Sequence, residues 1–218
     1  MRVNILTLFP EFFESGLQTS ILKRAQIQTR VEFKVINLRD FAHDAHQTAD
    51  DRPFGGGPGM VMMIAPIAEA LASLGVVKGQ AGKLIVLTSA KGKAFVQETA
   101  RTWAKLTELT IICGHYEGVD ERVVENLIDA EIRIGDYVLT GGEPAALVMT
   151  DAVVRLLPGV LGNELSNQDE SHAAPGQLGF PQYTRPEIYH NWSVPKALMS
   201  GNHKLIEEWR KNQKILET

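Results

Sequence analysis

Two adjacent carboxylates, Asp169 and Glu170, stand in "SNQDESH", a polar run that follows the apolar stretch "AVVRLLPGVLG". Composition assigns such a pair to solvent. A carboxylate held over a ligand has a second use, as the general base that takes a proton from a substrate. A second acidic group, Glu117, Asp120 and Glu121 with His115, contains metal-ligand types, but its place at a helix start favours capping and dipole complementarity. Neither HExxH nor a cysteine pair is present to build a zinc site, and Ser89 and Ser171 lack a nucleophile elbow.

Glycine collects where strands end. "DDRPFGGGPGM" (50–60) has the backbone freedom to bring N–H groups close to an anion, and equally reads as a tight surface loop. It is no Walker loop, because no Lys-Ser/Thr follows, and Met60 breaks GxGxxG. Three further clusters, "LTSAKGKAF" (87–95), "CGHYEGVDERV" (113–123) and "IGDYVLTGGEP" (134–144), each follow a strand-like run. Ligands of parallel α/β sheets sit beyond the carboxyl ends of strands, so three such loops can converge on one pocket for a nucleotide-like ligand.

The elements that must position these loops alternate. "VNILTLF" (3–9), "VEFKVIN" (31–37), "KLIVLTS" (83–89), "LTIICG" (109–114) and "AEIRIGDYVLTG" (130–141) read as strands, several apolar enough to be buried on both faces. Helical patterns occupy roughly 11–27, 65–74, 92–105, 119–128 and 143–157, the last with Ala146, Met149, Val153 and Leu156 as a core face. Alternation of this kind predicts an α/β sandwich on a mostly parallel sheet. After Pro158 periodicity dissolves into a Gly-, Pro- and Asn-rich stretch, and "SGNHKLIEEWRKNQKIL" ends the chain as an amphipathic helix with Asn202 as N-cap. The organisation is a domain over 1–160, a mobile linker over 161–180 and a small helical domain over 181–218.

The 218 residues suffice for one large domain with an appendage. Apolar runs are too short to span a bilayer, the N-terminus lacks a signal-peptide pattern, and a single cysteine, Cys113, precludes an intrachain disulfide, so a cytoplasmic protein is expected. A net charge of −4 does not advertise a nucleic-acid binder. Residues 181–218 nevertheless carry six Lys and Arg against four Asp and Glu, a mildly basic tail on an acidic body.

"DDRPFGGGPGM", "CGHYEGVDERV", "IGDYVLTGGE", "PGVLGNE", "YTRPE" and "SGNHKLIEEWR", in this order from "NILTLFPEFF" almost to the last residue, resemble the motif set of the bacterial tRNA (guanine-N1) methyltransferase (TrmD) family. The resemblance implies a SPOUT-class fold, in which a trefoil knot near residues 85–145 forms a pocket for S-adenosylmethionine. It implies an obligate homodimer with active sites at the subunit interface, and methyl transfer to N1 of the guanosine at tRNA position 37, beside the anticodon, with magnesium required. Cofactor contacts carried over from the family fall on Leu87, Thr88 and Ser89, on Gly114, Tyr116 and Glu117, and on Ile134, Gly135, Tyr137, Leu139, Gly141 and Gly142. These are the three loops picked out on physical grounds.

Guanine N1 carries a proton near neutral pH and becomes a nucleophile only when that proton leaves, so a base at N1 and a donor at O6 are required. By the resemblance Arg155 is the O6 donor and an acid of "NQDES" the base. Register from "PGVLG" and Ser171 puts the acid on Glu170, with Asp169 one place earlier as the alternative. The chain departs from the family where His172 replaces the usual Phe. Gly179 stands where an acid contacts the cofactor from the partner subunit, and the C-terminal domain is shorter. Two other readings follow from these departures: a relative that binds RNA or cofactor without turnover, and a SPOUT methyltransferase acting on another RNA atom.

Overall fold

The computed structural model describes residues 1–162, 170–174 and 176–216, the side chains of Ile215 and Leu216 aside. The chain forms two compact units, Met1–Gly162 and Asn163–Thr218.

In the first unit, β1 (Arg2–Thr7), α1 (Phe13–Leu17), α2 (Ser20–Ile27) and β2 (Glu32–Asn37) are followed by the two-residue strands β3 (Asp50–Asp51) and β4 (Val61–Met62). Then come α3 (Ile64–Leu74), β5 (Lys83–Ala94), α4 (Gln97–Trp103), β6 (Glu108–Ile112), α5 (Glu121–Asn126), β7 (Ala130–Arg133) and α6 (Glu143–Val154). Five strands form one sheet in the order β2-β1-β6-β5-β7, and every pairing in it is parallel. The apolar runs predicted to be buried on both faces are so: β6 is buried throughout and β1 from Val3 onward. One core face joins Val3, Ile5, Leu109 and Ile111 to α1, α2, α4 and α6, and the other joins Leu6, Ile85 and Ile112 to α3 and α5. Side chains alternate across a strand, so one sheet feeds two helical layers.

Three boundaries differ from the sequence reading. The helix predicted over 11–27 is broken, because Ser20 has φ 49° and the carbonyls at the break find side-chain partners. Thr19 Oγ1 donates to Ser15 O at 2.6 Å, and Gln26 Nε2 donates to Leu17 O at 2.6 Å. Strand β5 runs past residue 89 to Ala94, with a break in its pairing to β7 between Thr88 and Lys93. Strand β7 stops at Arg133, whose Nη1 donates to Gly92 O, so residues 134–141 leave the sheet as a loop.

In the second unit, β8 (Gln177–Leu178) pairs antiparallel with β11 (Ile215–Leu216). Between them lie a hairpin of β9 (Ile188–Tyr189) and β10 (Trp192–Ser193), then α7 (Lys196–Met199) and α8 (His203–Gln213). Asn202 caps α8 by accepting from Lys204 N at 3.1 Å. Tyr183 packs on Trp209 with ring centroids 6.1 Å apart, and the Arg210 guanidinium lies 5.0 Å over the Phe180 ring. Part of the stretch read as a structureless linker therefore holds a strand, since Gln177 and Leu178 find a partner near the far end of the sequence.

Candidate active site

Strands β5, β6 and β7 all deliver their carboxyl ends to the same edge of the parallel sheet, and a cavity of about 530 Å³ opens there. Its walls contain every predicted cofactor position: Leu87, Thr88 and Ser89 after β5; Gly114, Tyr116 and Glu117 after β6; Ile134, Gly135, Tyr137, Leu139, Gly141 and Gly142 after β7. The size lies within the usual range for small-molecule sites.

Backbone contacts hold the three loops together. Gly114 N donates to the buried Thr88 Oγ1 at 2.9 Å, and Gly142 N donates to Gly114 O at 2.8 Å. A bridge pairs His115 with Gly141. Residue type is forced at this junction. A Cβ on Gly142 would collide with Thr88 Oγ1 and lie 2.8 Å from Gly114 N, and one on Gly141 would collide with the His115 ring.

A buried carboxylate and the half-buried His115 beside it were absent from the predicted site. Glu143, the first residue of α6, is 3% exposed; its Oε1 accepts from Thr7 Oγ1 at 2.6 Å and its Oε2 lies 2.6 Å from His115 Nε2. The carboxylate sits at a helix N-terminus, where the dipole favours it. This pair bolts the β6 loop to α6, and Phe9 covers the His115 ring with centroids 4.9 Å apart. The one readable signal was a Glu between a Gly-Gly pair and a Pro, a common helix start.

Charge around the cavity is mixed. Lys91 reaches Glu121 at 2.8 Å and Glu131 at 3.8 Å, and the bond to Glu121 raises its pKa. Burial pushes the Tyr116 phenol up, and the Asp50 carboxylate adds to this. Cys113, wholly buried at the end of β6, is driven well above the ordinary thiol range by burial and then by Glu143. Asp120 caps α5 by accepting from Arg122 N at 3.0 Å, and its pKa is lowered chiefly by the Arg122 side chain. Glu117 instead faces the glycine-rich loop: its N–H donates to Met60 O at 3.0 Å, and its side chain fills the space beside Gly59. Most of that loop is solvent-exposed, with Phe54 fully so, and it lines no part of the cavity.

The three proposed catalytic residues fall in different places. Arg155 is half-buried at the C-cap of α6 in the first unit. Glu170 is half-buried in the second unit, where its carbonyl accepts from Ala173 N at 3.1 Å. Gly179 N donates to Ser171 Oγ at 2.9 Å, so this glycine packs on the residue beside Glu170. Asp169 lies outside the described residues.

Residues 1–218 match the family described as tRNA (Guanine-1)-methyltransferase TrmD. Among curated proteins, a tRNA (guanine-N(1)-)-methyltransferase of Dehalococcoides mccartyi strain CBDB1 is 49% identical over all 218 residues, which span 87% of that relative. Proteins of the same name from Geobacillus kaustophilus and Staphylococcus epidermidis are 50% and 48% identical, each across the whole chain, which spans 88% and 87% of them.

Proposed function

The chain belongs to the tRNA (guanine-1)-methyltransferase TrmD family and is an S-adenosylmethionine-dependent tRNA (guanine-N1) methyltransferase; from that premise we propose that the guanosine at position 37 is its target and the three-loop cavity its cofactor site. The observation that carries the cofactor assignment is the convergence of three glycine loops at the carboxyl ends of adjacent parallel strands. The walls suit the ligand. Gly141 and Gly142 let the loop after β7 close on His115 and Thr88 and so shape the cavity, Leu87 and Ile134 are apolar, and the loop N–H and C=O groups can read a purine edge. On this reading the segment near residues 85–145 is knotted.

S-adenosylmethionine supplies a methyl group on a sulfonium, an electrophile that needs no activation by the protein. The task of the chain is to make guanine N1 a nucleophile. Glu170, or Asp169 one place earlier, takes the N1 proton, and the N1 lone pair becomes available for the new N–CH3 bond, formed as the S–CH3 bond breaks and its electron pair returns to the sulfur of the departing thioether. Arg155 donates to O6 and holds the negative charge that develops there as the proton leaves. Magnesium belongs to this reading as a requirement for turnover and is assigned no protein ligands.

The second unit grips the anticodon arm, and two copies of the chain form the working dimer, with each active site at their interface. A tRNA enzyme of this kind works in the cytoplasm; among the described residues no helix is long and apolar enough to cross a membrane. The test is transfer of labelled methyl groups to tRNA transcripts carrying G or A at position 37. Label is expected in the G transcript alone. Absence of label there, with cofactor binding intact, overturns the reading.

A further inference from the structure

The hairpin of β9 and β10 presents its aromatic residues to solvent. Tyr189 and Trp192 are directly opposed across the two strands, which puts both rings on one face. They are 58% and 72% exposed, with centroids 6.0 Å apart. His190, at the turn with φ 54°, adds a third ring, 4.5 Å from Tyr189 and 6.0 Å from Trp192. Single exposed aromatics need no explanation, but a cluster of three on one small hairpin does. The rings meet tilted or edge-on, so part of each face is left uncovered.

We propose that this hairpin is a stacking platform for an unpaired base of the RNA substrate, with Trp192 and Tyr189 as the contact rings. The inference rests on the tRNA reading above and names a binding surface within it. Two observations favour RNA over a protein partner. Aromatic faces on a short β-element are the usual means of holding unpaired bases, and such bases offer a flat π-face that paired ones do not. The hairpin also belongs to the part of the chain where positive charge is in excess, six Lys and Arg against four Asp and Glu over 181–218, in a molecule of net charge −4. Arg185 and Lys196 flank it in sequence, and Glu187, whose carbonyl accepts from Val194 N at 2.9 Å, is the one acid beside it. Cations that track phosphate next to rings that stack bases are the two parts of a single-strand site.

The test measures binding of the full chain to a fluorescein-labelled anticodon stem-loop and to a fully paired duplex of the same length, by polarisation. Trp192→Ala and Tyr189→Ala are each expected to weaken stem-loop binding by roughly tenfold, in line with the stacking of one base. Trp192→Phe keeps a ring and is expected to stay within about threefold. Duplex affinity and the cofactor dissociation constant are expected to be unchanged. In turnover, the alanine variants should raise KM for tRNA and leave kcat at saturation alone.

Unchanged stem-loop binding in a folded Trp192→Ala protein overturns the proposal. So does a fall in sedimentation mass that accounts for the lost binding, which would make the hairpin an interface between copies of the chain. The two readings fail separately. A wild type that binds the stem-loop through Trp192 but leaves the G37 transcript unlabelled sinks the position-37 reading, whereas a wild type that labels G37 with an unaltered KM in Trp192→Ala sinks only the platform.

Discussion

At the scale of single residues, the proposed base is one of two neighbouring acids, and substitution separates them. Glu170→Gln keeps the shape of the side chain and removes its basicity, so kcat should fall by about 10²- to 10⁴-fold, the worth of a positioned base. Asp169→Asn should slow turnover by less than about tenfold, as expected of a neighbour that shapes the field without accepting the proton. Single-turnover rates with prebound tRNA read both. If Asp169→Asn is the dead variant, the base lies one residue earlier than register implies. The acids stand inside an ordinary polar run, and only the family resemblance and the register from "PGVLG" single them out. The pair that braces the cavity wall was not legible in the sequence. His115 and Glu143 are 28 residues apart and Thr7 a further 136 from Glu143, so only the folded sheet brings them together.

At the scale of elements, apolar runs and strand-end glycines were enough to read the central sheet and to place three loops at one edge. They failed where a boundary depends on a distant partner. Arg133 ends β7 by reaching back to Gly92, and Gln26 stops α1 by satisfying Leu17 O, and neither contact has a local signature. The loop junction makes a strong prediction. Gly142→Ala puts a methyl group against Thr88 Oγ1 and the Gly114 backbone, so the β5, β6 and α6 segments must separate. Cofactor affinity by calorimetry should drop at least tenfold, and overpacking should cost about 1–3 kcal/mol of stability in thermal or denaturant unfolding. The opposite end of the sheet is held by Glu108. It accepts from Asn4 Nδ2 at 2.9 Å and pairs with Lys83 at 3.0 Å, tying β1, β5 and β6. Burial raises its pKa, but the Asn4 bond and the Lys83 and Arg2 charges outweigh this and bring it below the ordinary 4.5. A depressed carboxylate contributes stability that is fully present above its unfolded pKa and is lost as pH falls through the folded value. Glu108→Gln should therefore lower stability by about 1–3 kcal/mol at neutral pH, and the gap to wild type should close below about pH 4.5. Denaturant midpoints from pH 7 to pH 3 test this, and a constant gap would refute it.

At the scale of the whole molecule, the proposed dimer needs a surface, and the first unit offers one. Phe9 and Phe12 are 39% and 43% exposed on the turn that leads into α1, and Val148 is 49% exposed on α6. Helix α1 packs on α6, with Gly16 against the Leu147 side chain beside Val148, so these apolar residues belong to adjoining elements. Arg155 closes the same helix. Apolar side chains that remain exposed on neighbouring elements mark an association surface, and in a two-fold dimer the same patch serves both copies. A dimer formed there would bring a second chain to the helix that ends at Arg155, the proposed O6 donor, as the proposed interface site requires. Val148→Glu places a charge in that contact without disturbing the core face of α6, where Met149 and Val153 are fully buried. The variant is expected to keep its circular dichroism spectrum, sediment as a monomer at micromolar concentration, and lose methyl transfer by at least about a hundredfold, since a charge left unpaired at an interface costs several kcal/mol. Full activity in a proven monomer would show that a single copy holds a complete site.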